Sequence, residues 1–332
     1  MTMNLHTILK SVEKPGRYTG GEWGQTIKDK NTVDVRFAFC FPDNYEIGMS
    51  NLGIRILYGV LNNEENVWCE RAYAPWPDME EKMREYGIPL YAHESGDPLS
   101  DFDIVGFTLQ YELCYTNVLN MLELGGIPLL ASERGENDPI IIGGGPCAYN
   151  AEPIADFFDV LDIGEGEEML PRFTRMYAKM KREGASRAEI LRATSHLDGF
   201  YVPALYEVEY GADGTISSFE PKYDDIPRTV QKQIIADLDS VYFPDKFVMP
   251  YIETVHDRIV PEVYRGCIRG CRFCQAGMIY RPVREKSPDV LDAQCRRLYE
   301  NTGFDEISLC SLSISDYSRL GELTDKLLSW TD

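Results

Sequence analysis

Cys267, Cys271 and Cys274 crowd into one short stretch, RGCIRGCRFCQAG, from Arg265 to Gly277. Thiolates are soft ligands suited to iron–sulfur clusters and to zinc. A structural zinc ion is normally closed by four protein ligands. No fourth Cys or His lies close in sequence, and His256, in the preceding segment, is the nearest. Three thiolates on a 4Fe–4S cluster leave one iron without a protein ligand, free to bind a substrate or cofactor. The spacing therefore points to a cluster with an open iron, with a structural zinc site as the alternative.

Arg258, Arg265, Arg269, Arg272, Arg281, Arg284 and Lys286 surround the cysteines. They are either a locally balanced surface or a positive mouth for an anionic ligand or cluster. The other six cysteines, Cys40, Cys69, Cys114, Cys147, Cys295 and Cys310, are scattered through apolar or amphipathic stretches and read as buried free thiols. His6, His93, His196 and His256 fall in no recognisable constellation, so no general acid or base is named.

These residues need a scaffold, and 332 residues at 44% hydrophobic content suffice for two cores. A formal net charge of −21 makes the chain a poor general binder of nucleic acid or anionic membrane. The N-terminus lacks an apolar core of signal-peptide length and no stretch is long enough to span a bilayer, so a cytoplasmic protein is expected. In that compartment clustered cysteines bind metal or do redox chemistry more often than they form disulfides.

Short apolar runs at VDVRFAFCF, Val67 to Tyr73, FDIVGFTLQ, PIIIGGG and FFDVLDIGEGEE alternate with helical patterns. That alternation predicts a parallel sheet with helices on both faces. In such sheets ligands sit beyond the carboxyl ends of the strands, where the sequence places Gly48, Thr108, Gly143 to Gly145, and Gly164. After His196 the run YVPALYEVEYGADGTISSFEP predicts a hairpin about Asp213-Gly214, and Pro227 to Pro250 an irregular connector. A second β/α pattern starts near Ile259, with strand IVPEVYRG, the cysteine loop, a helix from Pro288 to Asn301, strand EISLC and a helix beginning near Arg319. The expected divisions are an N-terminal extension at 1–32, a doubly wound domain at 33–185, a helical and β-hairpin linker at 186–257, and a third segment at 258–332.

CIRGCRFC, with Phe273 before its last cysteine, following a strand and opening a β/α unit, resembles the signature of the radical S-adenosylmethionine (radical SAM) enzymes. The resemblance implies that Cys267, Cys271 and Cys274 ligate a 4Fe–4S cluster whose free iron chelates S-adenosylmethionine. An external electron donor would reduce the cluster, and cleavage of the sulfonium C–S bond would give methionine and a 5′-deoxyadenosyl radical. Phe273 would sit near the adenine. The family often carries Gly-Gly-Glu after the next strand; this chain has CSLSISDY, leaving Ser311 and Ser313 as the nearest equivalents. The implied fold of residues 258–332 is the start of a partial TIM-type barrel.

The first domain resembles cobalamin-binding domains, which carry Asp-x-His-x-x-Gly after the first strand. Asp43 and Gly48 match, but Tyr45 stands at the histidine position. Thr108, Gly143, Gly144, Gly145 and Gly164 follow in the family's order. The resemblance implies a Rossmann-like domain holding cobalamin with no histidine on its cobalt, the lower face being empty, water-bound or merely covered by Tyr45; the alternative is that Tyr45 only fills space above the sheet. KPGRYTGGEWG, FPDNYEIGMSNLGI, APWPDMEEKMR, GFTLQYELCYTNVLNMLELGGIP, GGGPCAYNAEPIADFFD and LCSLSISDY extend the likeness to a family of cobalamin-binding-domain radical SAM proteins of unassigned substrate. The implied activity is reductive cleavage of S-adenosylmethionine coupled to cobalamin. Methyl transfer to an unactivated position is the leading reaction type, with rearrangement or ring formation open. A radical SAM enzyme without cobalamin and a non-catalytic zinc-stabilised binding module are the alternatives. The family's usual architecture adds a C-terminal continuation, so the chain is expected to be a fragment without turnover of its own.

Overall fold

The computed structural model describes residues 5–330. The first four residues of the expected extension and the last two of the final segment lie outside the described residues. Val35–Phe41 (β1) and Val67–Tyr73 (β2) are buried at every position, as their apolar runs predict. Ile104–Thr108 (β3), Ile140–Gly144 (β4) and Val160–Asp162 (β5) complete a parallel array in the order β2-β1-β3-β4-β5. Phe200–Tyr201 (β6) adds a sixth, antiparallel strand beside β5. The fold is thus mixed α/β around a mainly parallel sheet.

Leu5–Leu9 (α1), Tyr45–Ser50 (α2), Leu52–Asn62 (α3), Pro77–Tyr86 (α4), Tyr115–Leu124 (α5), Gly166–Arg182 (α6) and Arg187–Thr194 (α7) are the helices of this part. Alternation along β1 sorts them onto two faces. Phe37 and Phe39 pack with Ile54, Tyr58 and Leu61 of α3 and with Leu170 and Phe173 of α6. Ala38 and Cys40 belong to the other core, with Met79 and Met83 of α4 and Val118, Met121 and Leu122 of α5. Full burial of a side chain such as Phe37 stabilises by about 1.5–3 kcal/mol. The Asn51 side chain accepts from Ile54 N at 3.1 Å and caps α3.

The run read as one hairpin arm divides at Pro203. Phe200–Tyr201 joins the main sheet, while Tyr206–Tyr210 (β7) pairs with Ile216–Pro221 (β8), turning at Gly214 with φ +79°. The connector from Pro227 to Pro250 is irregular, as expected, yet firmly anchored. Phe243 and Phe247 pack with Ile56 and Val60 on the outer side of α3, and with Ile259, Cys295, Leu298 and Phe304.

Tyr264–Arg265 (β9) and Arg284–Glu285 (β10) form a short antiparallel pair that brackets the cysteine loop. Ala276–Ile279 (α8), Pro288–Thr302 (α9) and Leu320–Leu328 (α10) are the remaining α-helices among the described residues. The segments expected as two parallel strands do lie side by side. Ile259 N donates to Glu306 O, Ser308 N to Ile259 O, Cys310 N to Pro261 O and Val263 N to Cys310 O. Pro261 sits where the next donor belongs and has no N–H. Only isolated parallel bridges survive, at Ile259–Ile307 and Glu262–Cys310, rather than the two continuous strands expected.

Candidate functional site

Parallel strands deliver all their carboxyl ends to one edge, and there a cavity of about 380 Å³ opens. Its floor is Phe37 and Phe39 of β1, Gly106 to Thr108 of β3, Ile142 and Gly144 of β4 and Asp162 of β5. The first turns of α3 and α6 form the sides. Glu262, Tyr264 to Gly266 and Cys310 to Leu312 close it from the second half of the chain. The strand order reverses between β1 and β3, which splays the flanking segments and leaves a crevice. The volume falls in the range of small-molecule sites.

Asp162 is the unusual group in this lining. It is only 5% exposed, and its Oδ1 has no hydrogen-bond partner. Burial, with repulsion from Glu167 second, pushes its carboxyl up to about 7. Its neighbour Gly144 is explained by it, because a Cβ there would stand 1.9 Å from Asp162 Oδ1. Gly164 likewise admits the connector: a Cβ would lie 2.5 Å from Gln233 O, and Gln233 N donates to Ile163 O. These glycines therefore serve the protein's own packing as well as the cavity. Ser311 Oγ, in the same lining, is buried without a partner too.

The basic cluster is mostly neutralised. Arg265 pairs with Glu262 at 2.9 Å, with Glu165 at 3.1 Å and with Glu167. Arg284 pairs with Glu165 at 2.6 Å. Lys286 is fully buried, its Nζ 4.0 Å from Glu262 Oε2 and 4.4 Å from the Phe243 ring centre. Burial lowers the Lys286 ammonium from its ordinary range against the pull of Glu262. For Arg265, burial is outweighed by Glu262 and Glu167, which hold the guanidinium above its ordinary value. Arg258 and Arg269 pair with Glu306 and Asp316. The balanced-surface reading holds for these five residues. Glu165 and Glu167, at the start of α6, thus clamp the sheet to the segment that carries the cysteines.

Cys267 and Cys274 are half-buried and Cys271 is exposed, all three as free thiols. Cys274 N donates to Cys271 O at 3.1 Å, closing a turn that begins after Gly270, φ +62°. A Cβ at Gly277 would stand 3.8 Å from Cys274 Sγ, an ordinary contact. Among the described residues no three His, Cys, Asp or Glu side chains converge on a point that could hold a single metal ion. The three thiols sit on one turn-forming loop, Cys271 exposed and the other two half-buried. Gly266, immediately before Cys267, lines the cavity, so the loop and the cavity are contiguous.

Residues 53–203 match the family model described as radical SAM proteins, N-terminal. The match spans a little less than half of the chain and is a likeness to the N-terminal part of radical SAM proteins. An uncharacterized protein of Methanocaldococcus jannaschii is 25% identical to this chain over 296 residues, which cover 87% of this chain and 52% of that one. Two structures of the radical S-adenosylmethionine methyltransferase TsrM from Kitasatospora setae superpose at 12% identity over 88% of this chain. One, with cobalamin and a 4Fe–4S cluster bound, gives a TM-score of 0.48 over 52% of its own length. The other, with tryptophan substrate and a SAM analogue, gives 0.46 over 50%. The chain spans about half the length of the relatives it matches. No helix among the described residues is long and apolar enough to cross a membrane.

Of the positions expected to touch ligand, Thr108, Gly144, Gly145, Gly164 and Ser311 line the cavity. Asp43, Tyr45, Gly48, Gly143, Phe273 and Ser313 do not. Tyr45 is 1% exposed, stacks on His93 and donates its hydroxyl to Glu22 at 2.8 Å. The N-terminal extension supplies Glu22, which holds the phenol inside the protein and out of the cavity lining, in keeping with the space-filling alternative rather than a place over a ligand. Gly48 is packed under the Tyr73 ring, Gly143 under Phe158, and Asp43 accepts from Tyr111. Phe273 is 93% exposed, and the Ser313 hydroxyl bonds to Asp316. Cys310, expected to be a buried thiol, is instead accessible in the cavity wall. The signal for Asp162 in the sequence is an acid inside the apolar run FFDVLDI.

Proposed function

We propose that this chain is the cofactor-holding part of a radical SAM enzyme, with Cys267, Cys271 and Cys274 as the ligands of a 4Fe–4S cluster. The supporting observation is the contiguity of the three-cysteine loop with the cavity at the carboxyl edge of the sheet, through Gly266. When bound, the cluster and S-adenosylmethionine supply one-electron cleavage of a sulfonium C–S bond, and cobalamin supplies a methyl carrier. Residues 33–185 hold cobalamin in this reading and residues 258–332 hold the cluster and S-adenosylmethionine, with Ser311 on the wall they share. Thr108, Gly144, Gly145 and Gly164 border the cobalamin. Cobalamin as a whole exceeds 380 Å³, so these residues take one edge of it. The Glu165–Arg265–Glu167 clamp keeps the two parts in register and shields the cavity from water. Methyl transfer to an unactivated position is the reaction this pairing of cofactors serves best.

The test is anaerobic reconstitution of the chain with iron and sulfide. Wild type should take up about four irons with the broad visible absorption of a 4Fe–4S cluster. Cys267→Ala, Cys271→Ala and Cys274→Ala should each lose it, and Cys310→Ala should keep it. A full cluster in Cys271→Ala, or stoichiometric zinc in place of iron, would overturn the assignment.

A further inference from the structure

The three carboxylates of the cavity wall, Glu165, Glu167 and Glu262, are matched by Arg265, Arg284 and Lys286. Arg265 and Arg284 hydrogen-bond to these carboxylates, Lys286 stands 4.0 Å from Glu262 without a hydrogen bond, and no cation is paired with Asp162 among the described residues. Asp162 is buried at the carboxyl end of β5, lines the cavity, and has an Oδ1 with no protein partner. An isolated buried carboxylate is strongly disfavoured unless it is paired. Protonated, a carboxyl carries one donor and retains an acceptor. The group that satisfies both at once is a primary amide, whose carbonyl accepts the acid proton while its N–H reaches the second oxygen. Cobalamin carries primary amides around its periphery.

We propose that Asp162 binds cobalamin as a neutral carboxylic acid, pairing with one of its amide side chains, and so makes cobalamin affinity depend on pH. This rests on the cobalamin reading above. The charged or titratable groups facing Asp162 favour the neutral form. Glu167 of α6 repels its anion, even while held by Arg265. The Tyr149 phenol, from the short turn Pro146–Asn150 after β4, is itself pushed up to about 12 by burial, then by Glu165 and by Asp162, so it offers no positive charge. Glu165 is bound by Arg284 and Arg265. From β4 the neighbour is Gly144, whose missing side chain lets the carboxyl lie against the backbone. No cation is paired with Asp162 among the described residues.

The sign follows from proton linkage. Ligand binds the protonated form, so affinity is full at pH 6, where Asp162 is protonated, and falls above about pH 7 as the free protein loses that proton. The decline approaches about tenfold per pH unit. Hydroxocobalamin binding to the full 332-residue chain, followed by the shift in its visible absorption between pH 6 and 8.5, reads this directly. Wild type should weaken by about tenfold between pH 7 and 8.5. Asp162→Asn, which keeps the shape and both hydrogen-bonding functions, should bind with little change across the range. Asp162→Ala should be equally flat but bind about tenfold more weakly than wild type at pH 6. Wild-type affinity that does not change with pH, or an Asp162→Ala protein matching wild type at every pH, overturns the proposal and leaves cobalamin binding intact. Absence of hydroxocobalamin binding by wild type at every pH overturns the cobalamin reading, and the proposal with it.

Discussion

In the ligand-free protein, Asp162 makes stability depend on pH in the opposite sense to an ion-paired carboxylate. An aspartate in an unfolded chain titrates near 3.8, and burial beside Gly144, with Glu167 nearby, pushes Asp162 up to about 7. Below both values the group is protonated in both states and contributes nothing to the pH dependence. Between them the fold holds a proton that the unfolded chain has released, so stability falls as pH rises. Above about 7 the penalty is complete, and a displacement of roughly three units at about 1.4 kcal/mol each amounts to ~4 kcal/mol. Asp162→Asn keeps the shape and cannot ionise. Urea unfolding of both proteins without ligand, from pH 5.5 to 8.5, isolates the effect, because other groups cancel in the difference. The variant should gain on wild type by ~2 kcal/mol across the part of that range below 7, and the difference should level off above it. A difference that stays constant from pH 5.5 to 8.5 would refute the reasoning and mean that Asp162 is ionised throughout.

Two further perturbations test the surrounding architecture. Tyr45→Phe removes the hydroxyl donated to Glu22 and should cost ~1–3 kcal/mol in urea unfolding while leaving hydroxocobalamin affinity unchanged; lost affinity at unchanged stability would return Tyr45 to the ligand. Arg265→Met leaves Glu165, Glu167 and Glu262 short of a cation and should cost ~3–5 kcal/mol, seen as faster protease cleavage within the connector between Pro227 and Pro250; wild-type resistance would show that the clamp does not join the two parts.

Much of the scaffold was legible because its signals are local. VDVRFAFCF and Val67 to Tyr73 are apolar runs that only a strand buried on both faces uses. Pro77 and Gly87 mark the start and stop of α4 through their own backbone preferences. β6 is hidden because two residues carry no period, and the parallel pairing of Ile259 and Glu262 is legible from the strand runs while its interruption at Pro261 depends on the register with the partner segment. Of the site, the three cysteines stood out by type and spacing.

The sequence by itself determined the elements, the alternation that builds a mainly parallel sheet, and the single loop that gathers three thiols, since each depends on residues close together in the chain. Only the tertiary structure decided which side chains meet. Glu22 draws Tyr45 inward from 23 residues away, Arg265 reaches Glu167 across 98, and Gly144 makes room for Asp162 on the neighbouring strand. Desolvation and ion pairing are properties of the enclosed space, so the charge state of Asp162 and the neutrality of the basic cluster exist only once distant segments have closed around them.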